Sequence, residues 1–293
     1  MSLQWYPGHM VKARRQMAEA MPVQDMLIEV IDARVPGASS NPLVTELRRD
    51  KPCLKVLAKA DLADPDITKA WLQYFEATGK GRVLAVAITT SKSAEARNKV
   101  TELCAKLVPH RVNRPRRAMI VGVPNVGKST LINTLASRSI AKVGDKPAVT
   151  KAQQQVVLKN GTVLKDNPGV MWPKIEDENA AYRLAFAGSI PDTALYYEPL
   201  GRFGAAFLLK HHPAALLARY NLGDLPPTPD DLLEAIGRRR GALKAGGVID
   251  FQKACEALVH DFRSGALGRI SLEKPPSFAA KDSTPKSVPS DHE

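Results

Sequence analysis

Apolar, β-branched runs recur along the first 122 residues, at 26–31, 53–57, 83–88 and 118–122, with polar sequence or helical apolar spacing between them. The alternation predicts strands that each feed a helix, and hence a mostly parallel sheet with helices on both faces. In such sheets ligands bind at the carboxyl ends of the strands, so chemistry-bearing residues are expected just after each run. Two shorter runs, at 154–158 and 162–166, flank Asn160 and Gly161, a pair that favours a tight hairpin. Beyond about Trp172 the period becomes helical, broken at Pro191, Pro199, Pro213 and the cluster Pro226, Pro227 and Pro229, and no further clear strand follows. The predicted fold is therefore α/β over residues 1–172, joined to a small all-helical domain over 173–274. The remainder, 275–293, is too poor in apolar residues to fold alone and is expected to be disordered.

Composition narrows the setting. A chain of 293 residues with 44% hydrophobic content can bury a core in both units. No apolar run is long enough to cross a bilayer, and the first residues lack the pattern of a secretory signal, so a cytoplasmic protein with no membrane partner is expected. The three cysteines, Cys53, Cys104 and Cys255, form no C-x-x-C pair and read as buried thiols. A net charge of +12 favours a polyanionic partner, nucleic acid first, because Lys and Arg gain by releasing counterions from a phosphate backbone. A solvated basic surface is the plainer alternative for the charge alone.

The clearest chemical signal is GVPNVGKS at 122–129, following one strand and leading into a helical pattern. Its glycines let backbone N–H groups wrap phosphates, Lys128 can reach the β and γ oxygens, and the Ser129 hydroxyl suits magnesium. Asn125, Val126, Gly127, Lys128, Ser129 and Thr130 are thus candidate nucleotide-binding residues, with the helix N-terminus aimed at the phosphates. Downstream, Asp166 ends a strand where a carboxylate can hold magnesium, and Gly169 follows where an N–H can meet the γ-phosphate. Thr150 lies between the phosphate loop and Asp166, in a polar loop, and can complete the metal shell. After the second strand, Ala58-Lys59-Ala60-Asp61 offers a lysine to lie along a nucleobase and a carboxylate to read guanine. After the third, Ser91 can present a backbone N–H to the guanine oxygen.

The base-reading segment thus precedes the phosphate loop. Together with WYPGHM at 5–10, Lys12, Asp32-Ala-Arg34-Val-Pro36, Asn41-Pro42 and the stretch 261–270, this order resembles the RbgA/YlqF family of circularly permuted ribosome-biogenesis GTPases over nearly the whole chain to about residue 273. The resemblance implies a P-loop GTPase that takes GTP with Mg2+, binds the maturing large ribosomal subunit and its rRNA, and assists late assembly, with hydrolysis stimulated by the subunit. No DNA partner is implied. Val170 stands where many GTPases place a water-orienting Gln, and the resemblance assigns that task to His9 on a flexible amino terminus. It also suggests K+ beside Asn125. Arg238, Arg239, Arg240 and Lys244, on a predicted helix, are candidate RNA contacts, although a solvated helix face explains them nearly as well.

One departure is Ala58, where the family pattern has an Asn that ties the base-reading loop to the phosphate loop. Losing that contact is expected to cost about 1 kcal/mol, or roughly fivefold to tenfold in GTP affinity. Two other readings remain open. One is a nucleotide-gated RNA-binding protein with negligible turnover, suggested by Val170 and Ala58. The other is a P-loop ATPase, against which Asp61 argues. The path from Gly169 through Trp172 and Pro173 into the helical domain further suggests that nucleotide state repositions that domain.

Overall fold

A strand covered on both faces must be apolar at successive positions, and β1 (Met26–Asp32) and β2 (Cys53–Ala58) are buried along their whole length. The computed structural model describes residues 8–89, 92–109, 114–137, 154–158, 160–167, 169–171, 175 and 177–276. Among them, α1 (Gly8–Ala20) leads into β1, and two short helices, α2 (Pro36–Ser39) and α3 (Pro42–Arg48), precede β2. The chain continues through α4 (Pro65–Thr78), β3 (Val83–Ala87), α5 (Ser93–Leu107), β4 (Arg117–Val121) and α6 (Lys128–Ala136). A hairpin of β5 (Gln154–Val157) and β6 (Val163–Asp166) completes a six-stranded sheet of order β3-β2-β1-β4-β6-β5.

Every pairing in this sheet is parallel except β5 with β6. The hairpin turns at Asn160 and Gly161, as its sequence predicts. Gly161 takes φ 77° and donates its N–H to Leu158 O, while Asn160 Oδ1 accepts from the Thr162 N–H. One polar pair interrupts the buried strands: Glu29 on β1 faces Lys55 on β2 in register, and the Lys55 ammonium bonds its carboxylate at 2.5 Å. Ser40 Oγ and the Phe75 ring complete the surroundings of that ammonium.

After the sheet come helices α7 (Glu178–Ala187), α8 (Tyr197–His211), α9 (Pro213–Tyr220), α10 (Pro229–Arg240) and α11 (Phe251–Ser264). Their caps are written in the sequence: Asp177, Thr228 and Asp250 accept from the first-turn N–H groups of α7, α10 and α11. Gly188, Gly241 and Gly265 end the same three helices in left-handed conformation. Pro199, expected to break a helix, instead lies in the first turn of α8, where a missing N–H leaves no helical bond unmade. Lys244, expected on a helix with the arginines, is beyond α10, whose Gly241 cap stops it at Arg240. The segment 267–273 then returns from the helices and hydrogen-bonds to the sheet domain's loops. The predicted tail lies outside the described residues from 277 onward. All three cysteines are buried free thiols.

Candidate functional site

Three strands, β4, β6 and β1, carry candidate residues at their carboxyl ends, and β2 carries the candidate base-reading segment next to them. After β4, Asn125 and Gly127 adopt left-handed conformations, φ 55° and 107°, and Gly127 caps the N-terminus of α6. That turn of the backbone is what a phosphate-wrapping loop needs, since successive N–H groups then converge on one anion. Lys128 opens the helix and is nearly buried. Its ammonium donates to the carbonyls of Val123 at 3.1 Å and Gly122 at 3.3 Å. Burial lowers its pKa to about 8, opposed by the nearby Asp166 carboxylate.

Asp166, at the end of β6, is 1% exposed. Neither carboxylate oxygen has a well-formed hydrogen bond, the Asn167 backbone N–H giving only a weak polar contact. Burial pushes its pKa up to about 6, with Lys128 acting in the other direction. A buried carboxylate left this way suits a divalent cation, and Ser129 and Thr130 follow in the first turn of α6, both half-buried. Asn167 bridges the strands by donating to Ile120 O at 3.1 Å and Lys165 O.

Gly169 is pressed onto the phosphate loop. A Cβ there would lie 2.8 Å from Pro124 Cα, 2.9 Å from Pro124 N and 3.2 Å from the Lys128 ammonium. Only glycine permits this approach, which brings its backbone against the candidate phosphate loop. Val170 next donates its N–H to Gly122 O and buries its side chain in the core, so no group on it can orient water. Its carbonyl accepts from Asn41 Nδ2 at 2.8 Å.

On the other side of the loop, Ala58 lies against Gly127: a Cβ on that glycine would be 3.5 Å from Ala58 Cβ. The candidate base-reading segment thus abuts the candidate phosphate loop. Lys59 holds φ 59° and pairs with Asp32 at 2.9 Å, leaving Asp61 exposed at the turn. Asp32 is wholly buried and also takes both forks of the Arg34 guanidinium, at 2.9 and 2.8 Å. Arg34 and Lys59 hold its carboxyl well below the usual carboxylate range against the opposing effect of burial. Burial lowers the Lys59 pKa, Asp32 working against it.

Not every expected residue is brought to this face. Ser91 and Thr150 lie outside the described residues, as do Trp172 and Pro173. His9 is in the first turn of α1, with its side chain outside the described residues. From Gly8 onward the amino-terminal segment is a helix docked on the core, with Met10, Ala13 and Met17 of α1 buried. The basic cluster is also partly engaged. Arg240 pairs with Asp261 at 2.5 Å and packs over the Tyr220 ring, and Arg239 donates to Asn221 O. Arg238 meets Glu234 in a solvent-exposed pair, and Lys244 is exposed.

Asp32, Arg34 and Asn41 were legible only as parts of a resembling segment; the structure gives them work around Lys59 and Val170. An Asx residue before a proline, Asn41-Pro42, is also a helix-start signal, and Asn41 does cap α3.

The comparisons agree with this geometry. Residues 117–196 match the family model described as 50S ribosome-binding GTPase. Ribosome biogenesis GTPase A of Bacillus cereus is 42% identical over 95% of this chain and 96% of its own. The chain belongs to the ribosome biogenesis GTPase A family. A crystal structure of GNP-bound YlqF from Thermotoga maritima matches with TM-score 0.65 and 28% identity, covering 90% of this chain and 99% of that one. A GDP-bound YlqF structure gives the same TM-score and identity over 89% and 99%. Membership establishes a P-loop GTPase acting in ribosome biogenesis, and it excludes the ATPase alternative. Among the described residues, no helix is long and apolar enough to cross a membrane.

Proposed function

We propose that this chain is a circularly permuted GTPase of the cytoplasm that binds the maturing large ribosomal subunit and its rRNA, and whose GTP hydrolysis, stimulated by that subunit, times its release. The observation that carries the reading is the meeting of Lys128, Asp166 and Gly169 beside the candidate base-reading loop, at the carboxyl ends of neighbouring strands. Lys128 neutralises the terminal phosphates, and the Gly169 N–H marks the presence of the γ-phosphate. Ser129, Asp166 and Thr150 would hold Mg2+, which supplies charge stabilisation to the phosphoryl group when bound. Lys59 and Asp61 bind the guanine, and the backbone at Ser91 contacts its oxygen. Asn125 would hold K+. His9 orients the attacking water once the subunit is engaged, because the buried Val170 side chain offers no substitute. Arg238, Arg239 and Lys244 are the members of the basic cluster best placed to reach rRNA phosphates.

The test is GTP hydrolysis in potassium buffer, with and without purified large subunits, with ATP as competitor. Strong GTP-specific stimulation is expected. GTP binding without stimulation would favour the second reading, a nucleotide-gated RNA-binding protein, which the core position of Val170 makes worth separating.

A further inference from the structure

The loop that carries Lys59 and Asp61 lacks its Asn tether, yet it is held from another direction. The return segment 267–273 lies along it. Arg269 donates from Nε to Ala63 O at 2.9 Å and from Nη2 to Ala60 O at 3.1 Å, so one guanidinium spans the carbonyls on either side of Asp61 and Leu62. The Ile270 N–H donates to Leu62 O at 3.0 Å, and Ser271 Oγ accepts from the Asp64 N–H at 3.1 Å. Four of the five residues from Ala60 to Asp64 thus bond a segment more than 200 positions later. Ile270 and Ser271 are buried where they make this contact, whereas Arg269 remains exposed.

We infer that Arg269 is a positioning residue for guanine-nucleotide binding, fixing the loop so that the Asp61 carboxylate faces the base edge. The planar fork of arginine is suited to this, because two carbonyls are bridged by one rigid group. The role rests on reading residues 58–61 as the base-reading segment. It also makes the end of the helical domain part of the nucleotide site, without that domain touching the nucleotide. The Asp61 carboxylate reads the ring N1–H and the 2-amino group, so a displaced loop weakens affinity and also blunts the distinction between guanine and hypoxanthine, which lacks the 2-amino group.

The experiment measures GDP, IDP and ADP binding by the full-length protein and by Arg269→Met, Asp61→Ala and the double variant, with thermal midpoints recorded. Arg269→Met should bind GDP about fivefold to tenfold more weakly and show a smaller GDP-over-IDP preference. Added to Asp61→Ala, it should cost nothing further. Arg269→Lys, which keeps the charge and can reach one carbonyl, should fall between; it replaces the Met variant should that variant not fold. A variant that binds more weakly with an unchanged GDP-to-IDP ratio, or that adds fully to Asp61→Ala, overturns the positioning role, as does unchanged affinity. A wild-type protein that fails to distinguish GDP from ADP and IDP is a separate result: it removes the base-reading assignment and the inference with it.

Discussion

The Asn125 side chain donates from Nδ2 to the Gly188 carbonyl at 3.0 Å, so the phosphate loop is hydrogen-bonded directly to the end of α7. Four consecutive carbonyls there have captured donors. Arg263 takes those of Ala185 and Phe186, Arg34 takes Ala187, and Asn125 takes Gly188. The last carbonyls of a helix lack intrahelical partners and carry partial negative charge, so two guanidinium groups and an amide are apt partners. Two of these donors, Arg34 and Asn125, lie at the strand ends that carry the candidate nucleotide-binding residues. Removing the amide in Asn125→Ala should lower stability by about 1 kcal/mol in denaturant unfolding. It should also abolish any advantage of potassium over sodium in GTP hydrolysis. Retention of that advantage would remove Asn125 from the cation site.

Gly169→Ala should be among the most damaging single-methyl changes at the site. The new Cβ meets backbone atoms of Pro124 at under 3 Å, which cannot rotate away as a side-chain tip could. The phosphate loop and the segment after β6 would have to separate, moving the Lys128 ammonium as well. A loss of more than about tenfold in kcat/KM, in steady-state GTP hydrolysis, is expected from misplacing these groups. Near-normal turnover would show that the contact opens when nucleotide binds.

The strands and the phosphate loop were legible because each is a local pattern. A strand buried on both faces requires consecutive apolar residues, as in residues 26–31, and a phosphate-wrapping turn requires its glycines within eight positions. Helix ends were less so: Gly241 offered the signal that stops α10 and excludes Lys244, but the run of basic residues on both sides of it suggested one continuous face. The Asp32, Arg34 and Lys59 cluster joins two strand ends that become neighbours only once β1 and β2 pair in register. Arg269 bonds to backbone carbonyls, which every residue has, so nothing in residues 60–63 announces a partner.

The docked position of α1 sharpens the test of His9. Its helix is anchored through Met10, Ala13 and Met17, none of which a substitution at His9 alters. His9→Ala should leave GTP affinity within about twofold while reducing subunit-stimulated hydrolysis by about 100-fold, the range of a positioned general base. Stimulated rates equal to wild type would leave the water to another group.

The buried Lys128 and Asp166 predict how the nucleotide-free protein responds to pH. The Asp166 pKa, about 6, lies above its ordinary value of 3.8, so the folded state holds more protons between these values and stability falls as pH rises from about 4 to 6. The Lys128 pKa, about 8, lies below its ordinary 10.5, so the folded state holds fewer protons there and stability rises from about 8 to 10.5. Near neutral pH both charges therefore oppose folding of the nucleotide-free protein. Asp166→Asn should make that form more stable at pH 7, on the order of 2 kcal/mol, with the gap closing towards pH 4, where the folded-state carboxyl is protonated and the unfolded one is about half so. The same change should abolish Mg2+-dependent hydrolysis and reduce the stabilisation conferred by Mg2+ with GDP. Urea unfolding of both proteins at pH 4, 6 and 7 tests the first part. A gap that does not change with pH would mean that Asp166 is not the group opposing folding, and that its burial is relieved by a partner other than the bound cation.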